Sequence, residues 1–364
     1  MNEFLERYRV KLTTLSPVHV GSSEVLTKKE YIIDHETNKL QVINFGKMFG
    51  EFQDKRILKS FQKFLMKNSG KALGTWLKEN KVTLKDNWIN YELELNEAEE
   101  VLKDKKYRGI NLFQKDAYGY PYIPGSSLKG ALRTALLSYS ITENYFQYSN
   151  NIDNVKQIIQ KTKVPKKSNS IIKKQTKELE KKTFLVKDAE TAQKIDIMKG
   201  LRVSDSKPLR LADLTLCQKI DQFSKGKDGS NKLPILRECV KPGTEVEFTL
   251  ILDHTYFKSD INVIESAIAK SYEGIREWLN KYFICGEYSD TDIIYIGGGS
   301  GYLSKTVTYD LFEEKSAADL ARKVMPDIKG RVSDNIIPRV MKVTNFSGRE
   351  NYEMGLCTIK FERM

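Results

Sequence analysis

The segment Tyr122–Ser140, YIPGSSLKGALRTALLSYS, constrains the fold more than any other stretch of the chain. Leu128, Ala131, Leu132, Ala135, Leu136 and Tyr139 recur at i, i+3, i+4, i+7, i+8 and i+11, the period of a helix with one buried stripe. Such a helix needs an apolar surface to lie on. Lys129 and Arg133, four apart, share a face off the stripe. Pro124-Gly125 permits close backbone approach, and Ser126 or Ser127 can cap the helix. Its first turn nevertheless carries Lys129 and no acid. A cation there costs about 0.3–1 kcal/mol against the helix dipole. A phosphate held by Lys129, Arg133 and the free amides would reverse that sign. A solvated lysine on an ordinary helix is the competing reading.

The surrounding sequence supplies strands for the helix to cover. YRVKLTTLSPVHVGS alternates through Val20 and reads as a strand halted at Gly21. EYIIDHETNKLQVIN reads as two short strands about a polar turn, His35–Asn38. FGKMFGEFQDKRILKSFQKFLMKNSG reads as helix ending at Gly70. LRVSDSKPL, LTLCQKIDQF, TEVEFTLIL and MGLCTIKFERM read as strands. INVIESAIAKSYEGIREWLNKYF puts Ile261, Ile264, Ile268, Tyr272, Ile275, Leu279 and Tyr282 on one helical face. DIIYIGGGSGYLSKTV reads as strand, glycine loop and extended chain. Each half begins with a strand, inserts helix and returns to strands. That order predicts an α+β fold of split βαβ units, with helices on one face of an antiparallel sheet.

A chain of 364 residues has room for two domains. The Gly-, Ser- and Lys-rich stretch 223–234 reads as the linker, giving domains 1–232 and 233–364. The charged segments at about 71–110 and 145–195 read as insertions. Within the second, residues 161–182 hold nine lysines and two glutamates, a solvated segment or an arm that orders on an anion.

Lys plus Arg number 60 against 48 Asp plus Glu, a net charge of +12 that favours a polyanionic partner, nucleic acid ahead of membrane. Glu3, Glu6, Arg7, Arg9 and Lys11 interrupt the first twenty residues, so no secretion signal is expected there, and no apolar run reaches membrane-spanning length. The expected compartment is the cytoplasm. Cys217, Cys239, Cys285 and Cys357 form no CxxC pair and read as reduced thiols without zinc.

A second glycine loop, YIGGGSGYLSKT at 295–306, invites a nucleotide reading. A phosphate-binding GxxxxGK[ST] loop would need glycine at 304, where Ser304 stands, and FTLILD, ending at Asp253, precedes the loop instead of following it. Its glycines still leave room for something to come close. That is either a neighbouring strand or a sugar-phosphate backbone, with Gly298, Gly299, Ser300, Gly301, Lys305 and Thr306 as candidate contacts.

Imidazole chemistry has three sources, His19, His35 and His254. His35 in its turn and His254 at a strand end read as surface residues. His19, one residue before the expected strand end and beside Gly21, could serve as general base for RNA cleavage without metal, but no partner acid stands at informative spacing. A histidine hydrogen-bonded at a strand end is the competing reading. Asp188 and Asp205 are solitary acids, so no two-metal pattern and no metal site are expected.

LSPVHVGSS, YIPGSSLKGALRTAL, LRVSDSKP, LPILREC, YIGGGSGYLSKT and YEMGLCTIKF run in order from Leu15 to Phe361. Together they resemble the RAMP superfamily of CRISPR-associated proteins. RVSDSKP with LPILREC narrows the resemblance to the family of fifth Csm subunits of type III-A effector complexes. The resemblance implies two ferredoxin-like, RRM-related domains without a cofactor. It implies a subunit that binds the 3′ part of CRISPR RNA, caps the backbone filament beside other Csm subunits, and takes part in 3′-end maturation with host nucleases. The family's helix-start motif maps onto Gly125–Gly130 and its glycine loop onto Gly297–Gly301. Family members carry no generally assigned nuclease site, whereas related repeat-processing endonucleases use a histidine, which keeps His19 as an alternative. A purely structural assembly subunit is the third reading.

Overall fold

The computed structural model describes residues 4–67, 70–104, 107, 109–161, 174, 177–187, 193–225, 229–324 and 337–364, ordered into four sheets. In chain order the strands are β1 (Leu5–Thr14), β2 (Gly21–Leu26), β3 (Tyr31–Asp34), β4 (Lys39–Ile43), β5 (Ile89–Glu94), β6 (Ile110–Phe113), β7 (Leu185–Lys187) and β8 (Lys194–Asp196). Then come β9 (Leu201–Val203), β10 (Leu214–Phe223), β11 (Ser230–Val240), β12 (Glu245–Asp253), β13 (Ile293–Tyr295), β14 (Val340–Phe346), β15 (Arg349–Glu353) and β16 (Leu356–Arg363). The helices are α1 (Phe45–Gly50), α2 (Lys55–Met66), α3 (Leu73–Glu79), α4 (Glu99–Lys103), α5 (Gly125–Glu143), α6 (Ser149–Lys161), α7 (177–184), α8 (Ile261–Tyr282), α9 (Thr308–Leu311) and α10 (Glu314–Val324).

The first sheet runs β13-β16-β1-β12-β9, antiparallel throughout. Alternation along β1 buries Tyr8, Val10 and Leu12 and turns Arg9 and Lys11 outward. The buried face meets α5 through Leu128, Leu132, Ala135 and Leu136, and α8 through Ile264, Ala267 and Ile268. The predicted stripe of α5 is therefore its packing face. Apart from β13, the order β16-β1-β12-β9 is the fourth-first-third-second arrangement of a ferredoxin-like β-α-β-β-α-β unit, with α5 and α8 as its helices. That unit runs from the first strand to the last.

The second sheet, β15-β14-β10-β11-β6-β2, is built from the connections of the first. Residue 232 lies inside β11, and both sheets draw strands from both sides of it. The stretch 223–234 joins β10 to β11 as an antiparallel hairpin, so it is not a linker.

Three other expectations change. The first strand stops at Thr14, because Leu15 and Ser16 turn their amides to Leu356 O and Pro17 follows; His19 thus sits in a connection, not at a strand end. The long helix after Asn44 is two helices, with Asp54 capping the second through Arg56 N. Phe52, in the break, packs 5.6 Å from Phe61 and 5.8 Å from Trp88. Segment 71–110 supplies α3, α4 and β5. β5 pairs with β4, and Leu73, Trp76, Leu77 and Trp88 join Met48, Phe61 and Phe64 in a separate aromatic core. Leu93, Leu95, Ala98, Val101 and Leu102 of the same segment pack into the main core.

Candidate nucleic-acid interface

At the start of α5 the chain supplies its own anion. Pro124 is the N-cap residue and no side chain within the helix start caps it, so neither Ser126 nor Ser127 plays the expected part. Instead the Gly125 amide donates to Asp205 Oδ1 at 2.8 Å. A β-carbon on Gly125 would lie 2.3 Å from Ser204 O and 2.5 Å from Val203 O. Glycine is required because the 203–205 backbone presses on the helix.

Arg133 is also spoken for. Its guanidinium donates to Asp196 and Glu180 at 3.2 Å each and stacks 4.3 Å over the Phe184 ring. Lys129 makes no ion pair within 4.0 Å among the described residues; burial first, then the charges of Arg133 and Arg202, push its ammonium below the usual value despite Asp196. Ser126 and Gly130 are exposed, and Ser127 is half-buried. Most of the lysine-rich stretch, 162–173 and 175–176, lies outside the described residues, as does Asp188. Its far end does not behave as a solvated arm. α7 buries Leu179 and Phe184 and places Glu180 on Arg133.

The glycine loop after β13 is arranged differently. Gly297, at φ +80°, takes His19 O so closely that a β-carbon would lie 2.2 Å from it, and the Gly298 amide donates to the same oxygen at 2.6 Å. That anchors the loop's base. Beyond it, the amides of Gly299, Ser300 and Gly301 donate to no acceptor among the described residues, while Ser300 Oγ donates to Gly297 O at 3.0 Å. Gly301, at φ +90°, has nothing within 4 Å of a built β-carbon. The chain then coils as a 3-10 turn, Leu303–Lys305, and α9 instead of extending. Lys305 reaches solvent with no ion pair among the described residues.

His19 lies beneath this loop. Its ring is buried, Nδ1 stands 2.7 Å from Glu238 O, and a β-carbon on Gly21 would touch Nε2 at 2.9 Å. Burial, reinforced by the Arg237 charge, lowers its pKa to about 4, so the ring is neutral at pH 7 and a weak base. His254 is not a free surface residue either: its Nδ1 meets Phe257 O at 3.0 Å and its Nε2 lies 3.4 Å from Glu6. His35 is exposed, 3.5 Å from Glu99. Among the described residues no three His, Cys, Asp or Glu side chains gather as a metal site requires.

Sequence reading missed Arg237 and Lys219. Arg237 sits under Gly299, whose β-carbon would lie 3.1 Å from Nη1, and that nitrogen is buried without a hydrogen-bond partner. Lys219 is half-buried nearby and unpaired among the described residues. The available signal was strand alternation: Cys217 pairs across from Arg237, so Cys217 and Lys219 share one face of the hairpin with Arg237 and Cys239.

With the split βαβ core and the glycine loop in place, the class follows: the description of the RAMP superfamily matches residues 11–302, and the chain belongs to that superfamily. The chain is 28% identical to a "CRISPR system Cms protein Csm5" of Streptococcus thermophilus, over 82% of this chain and 80% of the relative. It is 27% identical to the protein of the same name from Mycobacterium tuberculosis strain H37Rv, over the whole of both chains. It superposes on a chain from the cryo-EM structure of a Csm-crRNA-target RNA ternary complex of a type III-A CRISPR-Cas system at a TM-score of 0.67 and 18% identity, covering 97% and 100% of the two chains. The crystal structure of T. onnurineus Csm5 gives a TM-score of 0.56 at 17% identity, covering 96% and 99%.

Proposed function

We propose that this chain is a non-catalytic, RNA-binding subunit of a type III-A CRISPR effector complex in antiviral defence, working in the cytoplasm beside other Csm subunits. It binds the 3′ part of the CRISPR RNA, caps the backbone filament and takes part in 3′-end maturation, with trimming left to a host nuclease. Its two RAMP units are the ferredoxin-like sheet and the interleaved six-stranded sheet. The relatives' names and the RNA-containing complex among the structural neighbours support the assignment of complex and partner.

The observation that carries RNA binding is the glycine loop, where three amides with no acceptor among the described residues stand near Lys305 in the chain. Amides and cations of this kind hold phosphates without reading bases. Lys129, Ser126 and Gly130 at the start of α5 are a secondary contact, since Arg133 and Gly125 already have protein partners. Photo-crosslinking of bound single-stranded CRISPR RNA, with salt titration, tests the reading. Crosslinks at 298–305 and an affinity falling linearly on log–log axes are expected. Absence of RNA binding by both the isolated chain and its assembled complex would leave a structural assembly subunit. Specific cleavage in EDTA that is lost in His19→Ala would replace the reading with an endonuclease.

A further inference from the structure

The Arg237 guanidinium is the least explained charge in the molecule. Nη1 is buried and donates to nothing, and no carboxylate lies within 4.0 Å of the group among the described residues. Arg237 is half-buried, and a cationic nitrogen taken out of water without a partner is costly, so proteins pair such groups or give them a ligand. The acids adjacent in the fold are committed elsewhere. Glu238 accepts from Tyr91 Oη at 2.6 Å, the Phe113 amide at 2.8 Å and Lys115 at 2.5 Å on the opposite face of β11, and Asp221 holds Lys342 at 2.6 Å. Lys219 and Lys305 complete a like-charged group. Each has its ammonium pushed below the usual value, first by burial, with the Arg237 charge contributing in both. The glycine loop passes beside this cluster: a β-carbon on Gly299 would lie 3.1 Å from Arg237 Nη1 and 2.9 Å from Met354 Sδ, and the amides of Gly299, Ser300 and Gly301 donate to no acceptor among the described residues.

We propose that Arg237, Lys219 and Lys305, with the amides of residues 299–301, form an oxyanion site that takes one phosphate group. Its source is a single phosphodiester of the bound RNA, so the inference rests on the RNA-binding reading and names which residues fix the strand there. Arg237 supplies a fork for two phosphate oxygens, the lysines neutralise the remainder, and the glycines admit the sugar-phosphate backbone to contact distance.

The test titrates the full chain first with inorganic phosphate, then with single-stranded RNA. Phosphate raises the melting temperature of the wild type, and Lys305→Gln and Arg237→Met both diminish that gain. Without phosphate, Arg237→Met melts no lower than wild type, because it removes an unpaired charge. RNA affinity of Arg237→Met falls about tenfold at 0.15 M salt, and the log–log salt slope falls by about 0.7, one single-strand phosphate contact. A full phosphate gain in Lys305→Gln, or an Arg237→Met protein with wild-type RNA affinity and slope, overturns the site while RNA binding survives. Wild-type protein that responds to phosphate but binds no RNA, alone or in its complex, keeps the oxyanion site and defeats the RNA reading.

Discussion

The start of α5 and the loop after β13 look alike in sequence, each with glycines, serines and a lysine, yet the fold treats them oppositely. At α5 the chain closes the helix start with its own carboxylates: Asp205 on the Gly125 amide, Asp196 and Glu180 on Arg133. At the glycine loop the base is held through His19 O, and among the described residues the amides at the tip donate to no acceptor, beside an Arg237 guanidinium with no ion pair. A glycine-serine-lysine string offers an anion site; whether it stays available depends on acids that arrive from far along the chain. The PGSSLKGALR string then has a packing role here, with Gly125 and Arg133 held by the chain's own carboxylates, and the loop is the place left open.

The largest effect that tests this contrast is Gly125→Ala. The added methyl group would fall within 2.6 Å of two backbone oxygens that cannot swing away, so a loss of about 3 kcal/mol or more is expected in denaturant unfolding. Gly301→Ala meets no neighbour and loses only the positive-φ preference, about 1–2 kcal/mol. A Gly125→Ala protein as stable as wild type would mean that the helix start is not clamped, and the two loops would be equivalent.

Next in size is Arg133→Ala. It strands Asp196 and Glu180 and uncovers Phe184, so about 1.5–3 kcal/mol of stability is expected to go. RNA affinity of the folded protein and its salt slope should hardly change. A slope reduced as much as by Lys305→Gln would move the phosphate contact back to the helix.

His19 gives a pH-dependent test of how the second loop is anchored. Its folded pKa, lowered to about 4, lies below the ordinary imidazole value of 6.5. The unfolded chain therefore takes up the proton first, and the stability gained by a neutral His19 is complete above pH 6.5 and lost as pH falls toward 4. In that window the wild type should lose about 1.4 kcal/mol per pH unit more than His19→Gln. Parallel stability–pH curves for the two proteins would show that the imidazole titrates freely and is not buried beneath the loop.

Much of the core was legible because periodicity survives any topology: the stripes of α5 and α8 and the alternation of β1, β12 and β16 follow from residue order alone. Domain layout was not. β1 pairs with β12 and β16, more than two hundred residues away, and no local pattern encodes a register of that reach. Glycine was legible as a sign of close approach, but the sequence does not say what approaches. At Gly125 and Gly297 it is the chain's own carbonyl oxygen; at Gly299 it is the side chains of Met354 and Arg237. Arg237 itself was hidden because one arginine in a strand looks like any other until its neighbours' partners are known.

The smallest expected effect is the most direct probe of the contrast. Asp205→Asn keeps an acceptor for the Gly125 amide but removes the charge that the helix dipole favours, so a loss of about 1 kcal/mol is expected. The RNA salt slope should stay at its wild-type value, because the Ser204 and Val203 carbonyls still cover Gly125 and leave no room for a phosphate. If the slope steepens by about 0.7, one added phosphate contact on a single strand, then Asp205 alone was keeping RNA from the helix start. The two loops would then differ by one side chain and not by backbone packing, and Lys129 would be the cation that the exposed site was built around.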